Sequence, residues 1–253
     1  MAGLAPSSAL IRNTVHQVKT FLFAGQDTTA TLIQWLCWEL ARHPGVLSQL
    51  RAEHDAAFGP GPGSAEEVLG GRTEEAERIL GVCLPYTTAV IKETLRLHPP
   101  GATVRQLPAG SSGAEIDVDG SGRPVACDGL RVYVNQWLIH RNPGVWGPDA
   151  HDFRPARWLD AAYVAGLPAG AWRPFERGPR ACIGQDLALL EAKVVLAMVS
   201  RRFRFHKVGL TGRDGEDEIW EAWATTKVPA DRMMVRVYHE QFPPRFNETD
   251  SIR

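Results

Sequence analysis

The sequence lacks the residue patterns of several common protein classes. Its four cysteines form no Cys-x-x-Cys pair, and no histidine stands at ligand spacing from another, so a zinc site is a poor interpretation. Four scattered cysteines in 253 residues are also no disulfide framework, which indicates a chain that does not depend on an oxidising compartment. Internal repeats and low-complexity tracts are missing as well.

Long apolar runs and a strong net charge are missing too. No uninterrupted apolar span reaches the roughly 20 residues that cross a bilayer, and the first part of the chain lacks the layout of a signal peptide. The formal net charge is −1, so no overall field points to nucleic acid or to an anionic membrane as a partner. Any basic surface for a partner must therefore be local.

Most of the chain has the apolar periodicity of helices. The first of them is apolar on more than one face, which predicts a helix that runs through a core and stops at His43-Pro44. The predicted helices cover residues 11–42, 46–58, 66–69, 73–80, 86–97, 135–140 and 184–200.

Short alternating apolar stretches between residues 104 and 134 predict small β-hairpins, notably at 116–118 and 130–134. Residues 203–206 and 233–237 are predicted to form a closing pair of strands. Between them, residues 146–174 are rich in Pro, Gly and Trp without clear periodicity, and side chains must hold such a long meander. The predicted fold class is mainly α with small β-sheets.

Residues 175–184, Phe-Glu-Arg-Gly-Pro-Arg-Ala-Cys-Ile-Gly, are the most informative stretch. Gly178 and Gly184 allow the backbone to turn tightly and to approach a flat ligand. The helix that follows directs its positive N-terminal end toward Cys182, which favours a thiolate that can bind iron. A lone cysteine is usually an inert core residue, and Cys37, Cys83 and Cys127 keep that interpretation.

Two further motifs lie upstream. Residues 24–29, Ala-Gly-Gln-Asp-Thr-Thr, put small residues inside the first helix, where the Thr28 hydroxyl can bond to the Ala24 carbonyl and loosen the helix beside a groove for a diatomic ligand. Glu93 and Arg96 stand three apart on one helical face. By themselves, the first motif is an ordinary break in a helix and the second an exposed ion pair worth a few tenths of a kcal/mol.

Together these motifs resemble the haem-thiolate monooxygenases, the cytochromes P-450. The loop matches their pattern Phe-x-x-Gly-x-Arg-x-Cys-x-Gly at every fixed position, and residues 24–29 match the oxygen-activating motif Ala/Gly-Gly-x-Asp/Glu-Thr-Thr/Ser. Phe-Arg-Pro-Ala-Arg-Trp at 153–158 resembles the segment whose arginine, here Arg157, completes a structural Glu-Arg-Arg triad with Glu93 and Arg96. The resemblance extends from about residue 15 to about residue 237.

The resemblance implies a haem b cofactor, iron protoporphyrin IX. It makes Cys182 the axial ligand of the iron. Arg180 then contacts a haem propionate, with Arg105 and His98 as weaker candidates. The remaining expected cofactor contacts are Phe175, Gly178, Gly184 and Ala24.

The resemblance also assigns the reaction, which inserts one atom of O2 into an organic substrate. Thr28 hydrogen-bonds the bound dioxygen and Asp27 relays protons. The expected substrate contacts are largely apolar, which suggests a hydrophobic small molecule, and they are Phe23, Ala24, Thr103, Val104 and Thr226.

Electrons would come from NAD(P)H through a reductase, for which Arg173 and Arg177 offer a basic patch beside the loop. Residues 1–253 then form one partial domain, the C-terminal part of the cytochrome P-450 fold, from the oxygen-activating helix through the cysteine loop to the last strands. Its N-terminal part would be absent. The cellular location stays open, because full-length relatives are often anchored to the endoplasmic reticulum membrane.

Three alternatives remain at this point. The chain could be a truncated, inactive product, for which an exposed apolar patch along the first helix would be the sign. It could be an atypical member that isomerises or dehydrates peroxides, which would not need the pair Asp27 and Thr28. It could also bind haem only as a sensor or carrier.

Overall fold

The computed structural model describes residues 7–71, 74–110, 115–117, 122–208 and 234–239. These residues form a mainly helical fold with small antiparallel sheets, as the sequence predicts. The α-helices are α1 Ser8–Arg42, α2 Pro44–Phe58, α3 Ser64–Gly70, α4 Glu74–Val82, α5 Pro85–Leu97, α6 Gln136–Ile139, α7 Pro143–Trp146, α8 Ala161–Gly166 and α9 Gln185–Val199. The strands are β1 Thr103–Gln106, β2 Glu115–Asp117, β3 Pro124–Ala126, β4 Arg131–Val134, β5 Phe203–Val208 and β6 Met234–His239.

Prolines set several helix boundaries. Pro44 begins α2 directly after the end of α1, and Pro85 begins α5, because proline is tolerated in a first turn, where its missing N–H costs nothing. At the other end, α1 stops at Arg42 and α5 at Leu97, both close to the boundaries read from the sequence. These helices therefore confirm the predicted positions.

The strands pair as three antiparallel two-stranded sheets, β1 with β4, β2 with β3, and β5 with β6. In the first, Thr103 lies opposite Val134 and Gln106 opposite Arg131. Strand β1, which carries predicted substrate and propionate contacts, follows the end of α5 after five residues. The last sheet pairs Phe203 with His239 and so closes the chain as predicted.

The main core lies where α1, α2, α5 and α9 meet. Its central side chains are almost fully buried, and they include Leu36 and Leu40 of α1, Leu50 of α2, Ile91 of α5 and Leu196 of α9. Burying a leucine or isoleucine side chain contributes about 1.5–3 kcal/mol relative to leaving it in water. This core fixes the last turns of α1 and α5 against the helix that follows the cysteine loop.

Helix α1 differs from the expectation that it runs through a core along its whole length. Residues 8–26 are exposed, and burial begins only with the last part of the helix, from Thr29 onward. Leu22 is 67% exposed and Phe23 71% exposed. The apolar pattern marks a face that can be buried, but it does not supply the partner, and no described residue covers this face. Among the described residues, no helix is both long and apolar enough to cross a membrane.

Candidate functional site

The cysteine loop is closed at its base by a backbone hydrogen bond. The amide of Cys182 donates to the carbonyl of Phe175 at 2.8 Å, and a short 3-10 turn, Gly178–Arg180, forms the tip. Gly178 has a φ of 77°, in the left-handed region that favours glycine. Phe175 is half-buried and packs against the main core. The loop is therefore anchored at one end while its tip projects outward.

Cys182 differs from the other cysteines in its exposure. Its side chain is accessible, whereas Cys37 and Cys127 are buried and Cys83 is partly so. Burial raises the pKa of Cys37 to about 12, which keeps that thiol neutral. Exposed apolar side chains follow Cys182, with Ile183 at 90% exposure and Leu187 at 61%. An accessible sulfur beside apolar surface suits a large flat ligand.

The predicted oxygen-activating segment lies in α1. Thr28 Oγ1 donates to the Ala24 carbonyl at 2.7 Å, as the sequence predicts, although α1 remains a continuous helix there. A side chain added at Gly25 would meet nothing within 4 Å, so this side of the helix is open. Asp27 and Thr28 are half-buried, while Phe23 and Ala24 are exposed.

Glu93 lies at the centre of a buried network behind the loop. Arg96 Nε and one terminal nitrogen each donate to it at 2.9 Å, and Arg157 Nε donates at 3.0 Å. The backbone amide of Arg154 and the Trp158 indole add bonds of 2.9 Å and 2.8 Å. The side chains of Glu93, Arg96 and Arg157 are fully buried. The structure therefore brings the three predicted triad residues together.

The two arginines connect this carboxylate to the meander. Arg96 also donates to the carbonyls of His140, Ala150 and Asp152, so all five of its N–H groups have partners. Arg157 donates to Tyr163 Oη at 3.0 Å and to the Asp149 carbonyl at 3.0 Å. Burial acts to lower the pKa of Arg157, but Glu93 and Tyr163 together outweigh it and the pKa is raised. Side chains thus hold the meander, as predicted.

His140 connects the network to the cysteine loop, a role that the sequence did not predict. Its Nδ1 bonds to the Arg96 carbonyl at 3.1 Å, and its Nε2 accepts the backbone amide of Arg173 at 3.0 Å. Trp158 and Trp172 continue this path, since their ring centroids lie 5.6 Å apart and Trp172 lies 6.2 Å from Phe175. The triad therefore supports the loop through an imidazole and a row of aromatic rings.

A second buried histidine, His54, joins α2 to α5 and to the end of α9. Its Nδ1 lies 3.0 Å from Ser200 Oγ and its Nε2 lies 2.9 Å from Thr87 Oγ1. Thr87 Oγ1 donates to Glu53 at 2.6 Å, so it accepts from His54, and Nε2 carries the proton of the neutral ring. A second proton on His54 would leave the Ser200 hydroxyl without its acceptor.

These two histidines predict acid sensitivity. Burial lowers the pKa of His54 to about 4 and that of His140 to about 3, whereas the unfolded chain protonates each near 6.5. The unfolded state therefore binds more protons as the pH falls below 6.5. We expect the free energy of unfolding, measured with urea, to fall by about 2 kcal/mol from these two sites between about pH 7 and about pH 5.5. The double variant His54→Gln/His140→Gln should lack that loss, and an equal loss in the variant would contradict the assignment.

The predicted cationic contacts lie in different surroundings. Arg180 is exposed at the end of the 3-10 turn, and Arg105 is exposed on β1. His98 is instead buried, with its Nε2 2.6 Å from Glu39 Oε1 and its ring stacked on Trp35 at 3.8 Å. Burial lowers the pKa of His98. His98 therefore joins the end of α5 to α1 inside the protein.

The remaining predicted residues fall in three groups. Thr103 and Val104 lie on β1, with Val104 exposed. Thr226 lies outside the described residues. In the expected basic patch, Arg177 is exposed, but Arg173 is half-buried and forms an ion pair with Glu176. Only part of that patch is therefore available to a partner.

The residues present fit a haem group. An accessible sulfur lies in a loop whose glycines leave room for a flat ligand, since a Cβ added at Gly184 would only touch Cys182 Sγ at 3.9 Å and one at Gly178 would meet nothing within 4 Å. Two exposed arginines, Arg105 and Arg180, can meet carboxylates. The mainly helical fold and this loop together indicate the haem-thiolate class.

Comparison with known proteins agrees with that class. The family model described as cytochrome P-450 matches residues 5–229. A cytochrome P-450 monooxygenase, polC, of Polytolypa hystricis is 41% identical over 75% of this chain and 33% of its own length. Another, acrF of Aspergillus aculeatus, is 32% identical over 90% of this chain and 50% of its length. A 7-deoxyloganic acid hydroxylase of Catharanthus roseus is 32% identical over 76% of this chain.

The chain therefore belongs to the cytochrome P-450 family. It spans about a third to a half of the length of these relatives. The match begins before α1 and passes beyond the cysteine loop, so it includes all three motifs.

Proposed function

We propose that this chain is the haem-bearing C-terminal part of a monooxygenase that inserts one atom of O2 into a hydrophobic organic substrate. The observation that carries the proposal is the accessible Cys182, in a loop anchored by the bond from its own amide to Phe175. In this proposal residues 1–253 are one partial domain, and haem b is its cofactor. Electrons come from NAD(P)H through a reductase.

In this function Cys182 holds the iron, and Arg180 and Arg105 hold the propionates. Gly178 and Gly184 let the loop approach the ring. Bound haem supplies the centre at which dioxygen is reduced and an oxygen atom is transferred. The part left to this chain is to hold the sulfur in place, to deliver protons and to exclude water.

Protons would move through the open side of α1. The Thr28 hydroxyl donates to Ala24 inside the helix and keeps its lone pairs for a second partner. Asp27 is the neighbouring proton carrier, and the exposed Phe23 and Val104 provide apolar surface for a hydrophobic substrate. His98 has no part in holding haem in this proposal, because its Nε2 bonds to Glu39 and its ring stacks on Trp35.

The absorption spectrum of the reduced, carbon monoxide-treated protein tests the proposal. A thiolate-type Soret band is expected, both in this chain and in a version extended upstream. A band of this type in the extended protein alone would support Cys182 as the iron ligand and would show that the chain by itself does not retain haem. Its absence from both would contradict the proposal.

A second candidate is a truncated chain that folds but does not catalyse. The exposed apolar face of α1 favours it, because a haem site beside an apolar face that no described residue covers would not stay dry. Product formation by this chain, reconstituted with haem and a reductase, separates the two candidates.

We expect Thr28→Ala, in a version extended upstream, to keep haem and substrate binding but to divert electrons from product into hydrogen peroxide. Oxygen would still bind, but it would lose a positioned hydroxyl and its proton route. The quantity to measure is product formed per coenzyme consumed. Thr20→Ala is the matched control, since Thr20 makes the same bond to the carbonyl of His16 at 2.9 Å on an exposed turn of α1. Unchanged coupling in Thr28→Ala would remove the residue from the mechanism.

A further inference from the structure

Glu176, the second residue of the cysteine loop, has an unusual backbone conformation. Its φ of 59° makes it the one residue other than glycine with a positive φ in the described part of the chain. A residue with a Cβ is strained in this region, and such strain persists where the surrounding structure imposes it. The Glu176 side chain makes contacts that can impose this conformation.

Three donors from three parts of the fold approach the Glu176 carboxylate. Arg173 Nε lies 2.8 Å from Oε1, and an Arg173 terminal nitrogen lies 3.0 Å from Oε2, as a bidentate pair. Gln136 Nε2 donates to Oε1 at 3.4 Å. An Arg105 terminal nitrogen lies 3.7 Å from Oε2. The Glu176 side chain is only 12% exposed, whereas that of Arg105 is 49% exposed, so the contacts with Arg173 and Gln136 are the more shielded ones.

Two of these partners connect the cysteine loop to strand β1, which forms the other side of the proposed site. Gln136 is buried at the start of α6, and its Nε2 also lies 3.5 Å from Thr103 Oγ1 on β1. Arg105 is the third residue of that strand. Arg173 alone could shape a local turn, since it stands three residues before Glu176. The contacts with Gln136 and Arg105 instead join the cysteine loop to the strand that carries the expected substrate and propionate contacts.

We propose that Glu176 is a positioning residue that fixes the cysteine loop relative to strand β1. The carboxylate holds the strained corner of the loop and, through Gln136 and Arg105, the distance between Cys182 and β1. Its role in catalysis rests on the proposed function, because that function makes these two walls the sides of one haem pocket. The link between the walls is a property of the haem-free protein and can be measured there.

Hydrogen exchange of the haem-free chain tests the link. In Glu176→Gln, which keeps the shape but loses the charge, the Cys182 amide and the amides of β1 should exchange about tenfold faster, as expected when charge-assisted bonds are lost. Amides of the main core, such as that of Leu95, should keep their rates, whereas a general loss of stability would raise them too. Glu191→Gln, on the exposed face of α9, is the charge control and should change nothing.

Two further variants separate strain from contact. Glu176→Gly relieves the backbone strain and removes the carboxylate, so it should loosen the loop as Glu176→Gln does if the contacts matter. Arg105→Gln should speed exchange in β1, and adding it to Glu176→Gln should have little further effect, because the two residues form one link. Wild-type rates in the loop and β1 of Glu176→Gln, or independent effects in the double variant, would overturn the inference.

The haem-loaded protein separates this inference from the function on which it rests. A weaker thiolate-type Soret band in Glu176→Gln than in the wild type is expected, since the sulfur is less firmly placed. Absence of that band from the wild type, both in this chain and in the version extended upstream, would refute the proposed function and leave the exchange result standing. A normal band in the wild type with unchanged exchange in Glu176→Gln would refute only the role of Glu176.

Discussion

Glu93→Ala should lower the free energy of unfolding by about 3–5 kcal/mol, the usual cost of removing one partner from a buried ion pair. Two guanidinium groups would stay in the core, and of the ion pairs in the described part of the chain Arg96 would lose its pair with Glu93, while Arg157 would keep its pair with Asp149. The amide of Arg154 and the indole of Trp158 would lose their acceptor as well. Urea unfolding of the haem-free protein measures this loss directly.

A matched control comes from an exposed ion pair. Arg202 lies 2.7 Å from Glu66, whose side chain is 60% exposed, so Glu66→Ala should cost less than about 1 kcal/mol. The triple replacement of Glu93, Arg96 and Arg157 by alanine should cost little more than Glu93→Ala alone, because the three act as one unit. Haem incorporation should be lost nearly as fully in the single variant as in the triple one. Small, independent effects at the three positions would contradict a shared network.

The network also explains why the cysteine loop depends on residues distant in sequence. Glu93 fixes Arg96, whose carbonyl bonds to His140, and His140 accepts the amide of Arg173 just before the loop. Trp172 adds a bond from its indole to the Lys92 carbonyl, one residue before Glu93. Loss of the Glu93 carboxylate should therefore loosen the cysteine loop through these bonds.

Local rules predicted most of the fold from the sequence. Proline at a first turn or just after a helix set the ends of α1 and α5, and alternating apolar residues located the strands β4 and β5. The exposure of the first part of α1 could not be predicted, because periodicity identifies a face and not its partner. The short helix α8 in the meander and the short helix α7 just before it were missed, because four to six residues carry too little periodicity.

The site was predicted unevenly for a related reason. Glu93, Arg96 and Arg157 were predictable because all three are charged residues at fixed positions of the family's motifs. The roles of His140 and Glu176 depend on the path of the backbone. The His140 ring bonds to two main-chain groups, and the backbone of Glu176 has a positive φ. A glutamate at the second position of the loop pattern carries no signal by itself. His98 was expected as a weaker candidate for a propionate contact, and its partners Glu39 and Trp35 could not be predicted because they lie in α1, distant in sequence.

Cys182→Ser should abolish the thiolate-type Soret band of the reduced carbonyl complex, in this chain or in the version extended upstream. A serine hydroxyl is a far weaker iron ligand than a thiolate, and the loop offers no second sulfur. Because the Cys182 side chain is exposed and the bond to Phe175 uses the backbone amide, the substitution should leave the fold and its unfolding transition unchanged.

The other cysteines are internal controls for the same measurement. Cys37→Ser, Cys83→Ser and Cys127→Ser should each keep the thiolate-type band, although Cys37→Ser places a hydroxyl in the core and should cost about 1–3 kcal/mol of stability. This contrast separates the two ways of losing the band. Loss through unfolding would follow a buried cysteine, whereas loss of the iron ligand follows the exposed one. A Cys182→Ser protein with an unchanged band would refute the ligand assignment, and with it the function proposed for the whole loop.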